Sequence, residues 1–266
     1  MARVASNQDH SEAERGHYIY VQHAKMASRK GKSVMCEELT DYRITPSSDG
    51  SHEELVKLDG RLRLKGKYVS YNSLNATKGA EEGSDGLSIE IGEDDTDRDL
   101  VENMRKNLMH DKSKDGLNAH LFPLTTKEQA EYVFRLAGRE RLNGRDVFQI
   151  TFRPKDKDDF GWKGVAYIDS TAYQPVLVTT EMARKIPFAV RTFLGTNVPG
   201  LGFTVIYAPQ GDGVWFPVSF STEFKIRVLY FFNREIVLDA QNREFEKTHS
   251  TSRMLEGATE VPPQQR

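Results

Sequence analysis

Hydrophobic and polar residues alternate along the stretch 214–228 over about seven repeats. One set of alternating positions is aromatic, aliphatic or β-branched, and the other is polar apart from Trp215 and Pro217. The first set consists of Phe216, Val218, Phe220, Thr222, Phe224, Ile226 and Val228. This pattern is typical of an antiparallel sheet with one covered face and one solvated face. A strand of roughly 15 residues exceeds the usual length of about 5–6, which indicates a strongly curved sheet or a partial barrel.

A second pattern predicts a β-hairpin centred on Asn143-Gly144. Asn-Gly tolerates positive φ at both central positions of a two-residue turn, which matches the twist of the flanking strands. The runs 132–142 and 145–152 are the two strands, and 163–169 supplies the next one. Alternation in the second run places one aromatic and aliphatic set on a single face, namely Phe148, Ile150 and Phe152.

Further β-rich segments predict the rest of the sheet. They are 17–25, 33–45, 175–183, 186–193, 202–208 and 242–248. Asp59-Gly60, between 52–58 and 61–71, predicts a second hairpin turn. About eleven strands without a βαβ rhythm favour a mainly β fold with minor α, built as one antiparallel sheet.

One domain over 17–249 is predicted, with an acidic insertion near 75–99. Apolar residues recur at helical spacing after the insertion and predict an amphipathic helix over 97–109: Leu100, Val101, Met104 and Leu108. We expect residues 1–16 to be a disordered or helical lead-in. The tail 250–266 has the composition of a disordered segment.

Composition excludes some classes of function. The net charge of -2 and the pI of about 6.4 argue against a nucleic-acid partner. The single cysteine, Cys36, can form no internal disulfide. No apolar run is long enough for a transmembrane helix, and no signal peptide is visible, so an exported protein would have lost its leader.

No catalytic residue, metal site or cofactor is predicted. The sequence has no Gly-rich phosphate loop, nucleophile elbow or zinc-binding helix motif. Asp95, Asp97 and Asp99 resemble the start of a calcium loop. However, Leu100 stands where that loop needs glycine, and Lys106 stands where it needs glutamate.

The apolar face of the predicted sheet is the candidate binding surface. Its wall residues are Phe134, Phe148, Ile150, Phe152, Phe203, Phe216, Phe220 and Phe224. Two interpretations stay open: an ordinary packed core, or a cavity lined for a ligand. A helix of about 13 residues spans roughly 20 Å and is too short to seal a wide sheet. Loops, a partner or an apolar ligand would have to cover the remainder.

The segment 134–154 is similar to the central hairpin of LolA-like proteins, the lipoprotein carriers and sorting proteins of the bacterial envelope. It contains Leu142-Asn-Gly-Arg145 and the pattern Val147-x-x-Ile150-x-Phe152-x-Pro154. Gly164-Val-Ala-Tyr-Ile-Asp169, then Pro175-Val-Leu-Val178 and Trp215-Phe-Pro-Val218, follow in the family's order. The resemblance implies an incomplete antiparallel β-barrel of about eleven strands, with helix over its concave face. It also implies a cavity for acyl chains and export to the periplasm.

The sequence therefore predicts a non-enzymatic carrier that holds lipid acyl chains or a lipoprotein in a periplasmic half-barrel. The alternative is an envelope sensor or scaffold that carries no lipid. In that case the sheet would be a solid core, and the surface, including the acidic segment 81–99, would bind a membrane or envelope protein.

Overall fold

Twelve strands and three helices make up the described part of the chain. The computed structural model describes residues 1–47, 50–72, 96–110, 123–156, 161–183, 196–197, 201–228 and 232–248. The helices are α1 Ala2–Arg15, α2 Thr96–His110 and α3 Thr126–Gln129. The first strands are β1 Tyr18–Lys30, β2 Ser33–Ser47, β3 Gly50–Leu64, β4 Lys67–Tyr71, β5 Tyr132–Leu142 and β6 Arg145–Pro154. The remaining strands are β7 Trp162–Asp169, β8 Pro175–Met182, β9 Thr196–Asn197, β10 Gly202–Pro209, β11 Trp215–Val228 and β12 Phe232–Lys247.

All of these strands belong to one antiparallel sheet. Its order is β4-β3-β2-β1-β12-β11-β10-β8-β7-β6-β5, and the short β9 pairs with β11. The described strands β4 and β5 lie at opposite edges of the sheet, so it does not close into a barrel. The predicted fold class, an incomplete antiparallel barrel with minor helix, is confirmed.

The hairpin at Asn143-Gly144 is also confirmed. Both residues have positive φ, 49° and 82°, as a two-residue turn with this twist requires. β5 and β6 then pair without a gap from Leu142 and Arg145 to Tyr132 and Pro154, apart from one register shift between Leu136 and Gly138.

The predicted turn at Asp59-Gly60 is wrong. β3 runs through both residues, and the chain reverses instead at Lys65 and Gly66, whose φ values are 49° and 84°. Gly60 has a different role, because the ring of Tyr71 lies over it. A Cβ on Gly60 would stand 2.3 Å from that ring.

Other elements differ from expectation mainly in their ends. The predicted helix over 97–109 is α2, and residues 1–16 contain α1. The predicted strand 242–248 is only the end of β12, which begins at Phe232. The predicted strand 186–193, most of the acidic insertion and the tail 250–266 lie outside the described residues.

The two longer helices share the buried core with the sheet. Val4 of α1 and Val101 of α2 belong to the same hydrophobic cluster as Val178, Val205 and other residues of the central strands. α2 packs over β1, β2 and β3, whereas α1 packs against β11 and α3. We call the face of the sheet that carries these core residues the inner face.

Candidate functional site

Strand register assembles an apolar surface on the inner face of β5 to β7. Antiparallel partners lie on the same face of a sheet. Phe134 is paired with Phe152, and Leu136 with Ile150. Ile150 in turn pairs with Ala166 of β7. Side chains of three consecutive strands therefore form one continuous apolar surface.

Aromatic rings cover much of this surface. Phe134 and Phe152 have ring centroids 6.2 Å apart, and Tyr132 lies 6.2 Å from Phe152. Further along the sheet, Phe203 and Phe220 are 5.1 Å apart. Such ring pairs contribute about 0.5–1.5 kcal/mol beyond the burial of their area.

Six of the eight predicted wall residues come together in this cluster: Phe134, Phe148, Ile150, Phe152, Phe203 and Phe220. Phe224 instead lies in a separate cluster with Leu100 of α2 and Ile236. Phe216 lies beyond a register shift between β10 and β11, and its ring contacts Tyr18 and Phe245. The predicted wall is therefore divided among three places.

Exposure rises from the middle of the sheet towards the β5 edge. Phe152, Phe203 and Phe220 are buried, whereas Phe134 and Ile150 are only half-buried. Leu136 was not among the predicted wall residues, and it is 56% exposed. Its neighbours on the same face are apolar, so it extends the surface into solvent. We call Phe134, Leu136, Phe148 and Ile150 the open patch.

The part of the inner face beneath α2 is different, because charged side chains are buried there. Glu38 accepts hydrogen bonds from Arg105 Nε at 2.7 Å and from the Tyr71 hydroxyl at 2.9 Å. Arg105 also donates to the Tyr42 hydroxyl at 2.9 Å. The side chain of Glu38 is only 1% exposed. This network joins α2 to β2 and to β4.

A second ion pair holds the start of α2. Asp97 binds Arg234 through two hydrogen bonds, of 2.5 and 2.8 Å, and accepts another from Ser28 at 2.6 Å. The two pairs, Asp97–Arg234 and Glu38–Arg105, fix the helix to the sheet near both ends of its buried stretch.

Protonation equilibria reflect this burial. Desolvation raises the pKa of the Cys36 thiol to about 12 and also raises the pKa of Tyr71 and of Tyr42. Burial alone would lower the pKa of Arg105, but the attraction of Glu38 outweighs it and the pKa is raised. Cys36 is therefore a neutral, buried thiol rather than a nucleophile.

α1 is fixed at the other end of the inner face by polar contacts. Asn7 donates to the carbonyl oxygen of Ala172 at 2.9 Å, and Arg15 donates to that of Trp215 at 3.1 Å. Val4 and Ala5 are buried beneath it. The sequence left open whether residues 1–16 are disordered or helical, and it did not predict these contacts.

The described residues contain no group of three or more metal-ligating side chains arranged to hold an ion. Over the same residues, no helix has both the length and the apolar character needed to cross a membrane.

Solved structures similar to this chain include a lipoprotein-sorting protein domain and a LolA superfamily protein. One, from Vibrio parahaemolyticus, is described as an outer membrane lipoprotein-sorting protein domain, with 14% identity, 94% of each chain covered and a TM-score of 0.38. The other is a LolA superfamily protein from Nitrosomonas europaea, with 10% identity, 91% of this chain and 92% of that chain covered, and a TM-score of 0.35.

A DUF1329 family protein from Desulfovibrio piger is similar at 11% identity, over 94% of this chain and 92% of that chain, with a TM-score of 0.35. No protein-family model and no curated protein matches the chain. Likenesses this distant say nothing about what the chain binds.

Proposed function

We propose that this protein is a LolA-like envelope carrier that binds the acyl chain of a lipid or lipoprotein against the open patch. The observation that carries the proposal is the exposure of Leu136, 56%, on the same face as the half-buried Phe134 and Ile150. A strictly packed core would bury these side chains. A bound acyl chain would bury them instead, at about 25 cal/mol per Å² of apolar area.

The chemistry of the patch suits a flexible hydrocarbon. Rings and branched aliphatic side chains offer contact without directional hydrogen bonds, so a chain can bind in several positions along it. Each additional CH2 that becomes buried contributes about 0.8 kcal/mol, which is about a fourfold gain in affinity. Affinity should therefore rise with the length of a saturated acyl probe until the patch is covered.

A matched pair of variants tests the proposal. Leu136→Glu introduces a charge into the open patch. Val133→Glu introduces the same charge on the same strand, at a position 40% exposed and, by alternation from Phe134, on the opposite face. The measurement is the Kd of a fluorescent fatty acid, with native mass spectrometry of the purified protein to detect a retained lipid. We expect at least a tenfold loss for Leu136→Glu and little change for Val133→Glu.

Two results would overturn the proposal. One is an equal effect of the two substitutions on the Kd. The other is a wild-type protein that neither retains a lipid nor binds any probe of the series.

A further inference from the structure

A β-bulge places an arginine on the same face as the open patch. The pairing of β5 with β6 shifts between Leu136, opposite Ile150, and Gly138, opposite Gln149. Beyond the shift, Arg139 lies opposite Phe148. Leu136 and Arg139 are three residues apart, a spacing that would put them on opposite faces of a regular strand. The extra residue, Ala137, brings both to the inner face, and bulges commonly re-aim a side chain near a functional site.

Arg139 and a second arginine lie over an aromatic pair at the edge of the patch. The guanidinium carbon of Arg139 is 4.6 Å from the centroid of the Phe148 ring. Phe148 stacks on Tyr173 with centroids 6.3 Å apart and planes inclined by 29°. Arg3 of α1 lies over the Tyr173 ring at 5.0 Å. Each of the two rings therefore has one guanidinium group over its face.

These two arginines differ from others near the inner face. Arg105 pairs with Glu38, Arg145 with Asp169, and Arg234 with Asp97. For Arg3 and Arg139, no ion pair with a carboxylate is found among the described residues, and both side chains are exposed. A guanidinium that lies over a ring keeps N–H groups at its edge that can bind an anion.

We propose that Arg139, assisted by Arg3, binds the anionic phosphate headgroup of an acyl lipid whose tail lies on the open patch. This inference rests on the proposed function and adds the charge and the orientation of the ligand. Along β5 the surface changes from apolar at Phe134 and Leu136 to cationic at Arg139, which matches the polarity of such a lipid. A guanidinium can form two parallel hydrogen bonds to a phosphate, which strengthens and orients the contact.

The test compares two lipids with identical tails. Fluorescently labelled phosphatidylglycerol carries the anionic phosphate, and labelled diacylglycerol with the same tails carries no phosphate. We expect wild-type protein to bind phosphatidylglycerol about tenfold more tightly at low salt, as one charge-assisted contact allows. Arg139→Gln should remove most of this preference and leave diacylglycerol binding unchanged. Arg3→Gln should reduce the preference by a smaller factor.

The matched control is Arg135→Gln. Arg135 is an exposed arginine of the same strand, but it lies opposite Thr151 and therefore on the other face. Arg135→Gln removes the same charge as Arg139→Gln, but it should leave the preference for phosphatidylglycerol unchanged. Equal losses for Arg135→Gln and Arg139→Gln would overturn the inference, because overall charge would then explain the preference. Displacement of phosphatidylglycerol by inorganic phosphate at equal concentration would also overturn it, because the site would then bind free phosphate.

The two proposals fail in different ways. If the wild type binds both lipids equally well and Arg139→Gln changes nothing, the headgroup inference is wrong and the carrier function stands. If the wild type binds neither lipid, the carrier function fails and the headgroup inference fails with it.

Discussion

Beneath α2, the inner face of β2 and β12 carries buried charges, whereas the inner face of β5 to β8 carries rings and aliphatic side chains. We call these the ionic half and the aromatic half. In the ionic half, Glu38 and Arg105 are paired at 2.7 Å with almost no exposure. In the aromatic half, Phe134 and Ile150 remain half-buried and Leu136 is exposed.

The two halves differ in the packing partners that their surfaces can accept. A buried ion pair is satisfied in one arrangement only, because moving either partner leaves a charge without water or a counter-ion. An apolar surface imposes no such direction, and its contacts can be replaced by those of any other apolar group. We infer that the ionic half fixes its own helix permanently, and that the aromatic half is left to exchange partners.

Breaking the buried pair should have the largest effect on stability. Arg105→Met leaves the Glu38 carboxylate buried without its counter-ion, so the free energy of unfolding should fall by about 3–5 kcal/mol. The double variant Glu38→Met with Arg105→Met removes both charges of this pair and should recover most of this loss. Urea unfolding followed by circular dichroism measures both. If the double variant is as unstable as the single one, packing rather than charge explains the loss.

Substitution of a glycine in the aromatic half should have the second largest effect on stability. Gly164 of β7 lies beside Thr179 and Phe152, and a Cβ there would stand 1.9 Å from the Thr179 carbonyl oxygen and 3.0 Å from the Phe152 ring. Since backbone has to move, Gly164→Ala should destabilise the protein by about 1–3 kcal/mol.

The control for that substitution is Gly211→Ala. A Cβ on Gly211 would have no neighbour within 4 Å, and its φ is not positive. Its effect should stay within about 0.5 kcal/mol. Thermal unfolding measures the Tm of both variants, and we expect the lower Tm for Gly164→Ala. Equal Tm values would show that the sheet relaxes around Gly164.

The sequence predicted the parts of the molecule that depend on local pattern. The Asn143-Gly144 turn, the alternation of β11 and the helix α2 each follow from residues close together in the chain. The Asp59-Gly60 turn was predicted by the same rule and is wrong. There the glycine makes room for the Tyr71 ring, a contact that the local pattern does not reveal.

Long-range contacts and register shifts limited the prediction of the site. Alternation places Arg139 on the outer face, and only the bulge at Ala137 moves it to the inner face. The pairing of Glu38 with Arg105 joins residues 67 positions apart, each of which reads as an ordinary surface charge. Phe224 was assigned to the apolar wall because the sequence does not show where α2 packs.

The smallest expected effect concerns Asp169, at the end of β7. Burial alone would raise its pKa, but hydrogen bonds from the N–H groups of Ala172 and Thr171 and the ion pair with Arg145 outweigh this and lower the pKa. Because the folded-state pKa lies below the unfolded value of about 3.9, ionised Asp169 stabilises the fold above that pH. The contribution is lost as the pH falls through the folded-state pKa.

Asp169→Asn keeps an oxygen that can accept both backbone hydrogen bonds and removes only the charge. Since the Arg145 side chain is 43% exposed, we expect a loss below about 1 kcal/mol at pH 7. The difference between wild type and variant should shrink steadily as the pH falls below about 4, and it should also shrink in 1 M salt, in contrast to the larger and less screened effect of Arg105→Met. Unfolding curves at pH 3, 5 and 7 measure this. A difference that persists unchanged at pH 3 would mean that the shape of the side chain, rather than its charge, holds the β7–β8 turn beside the patch.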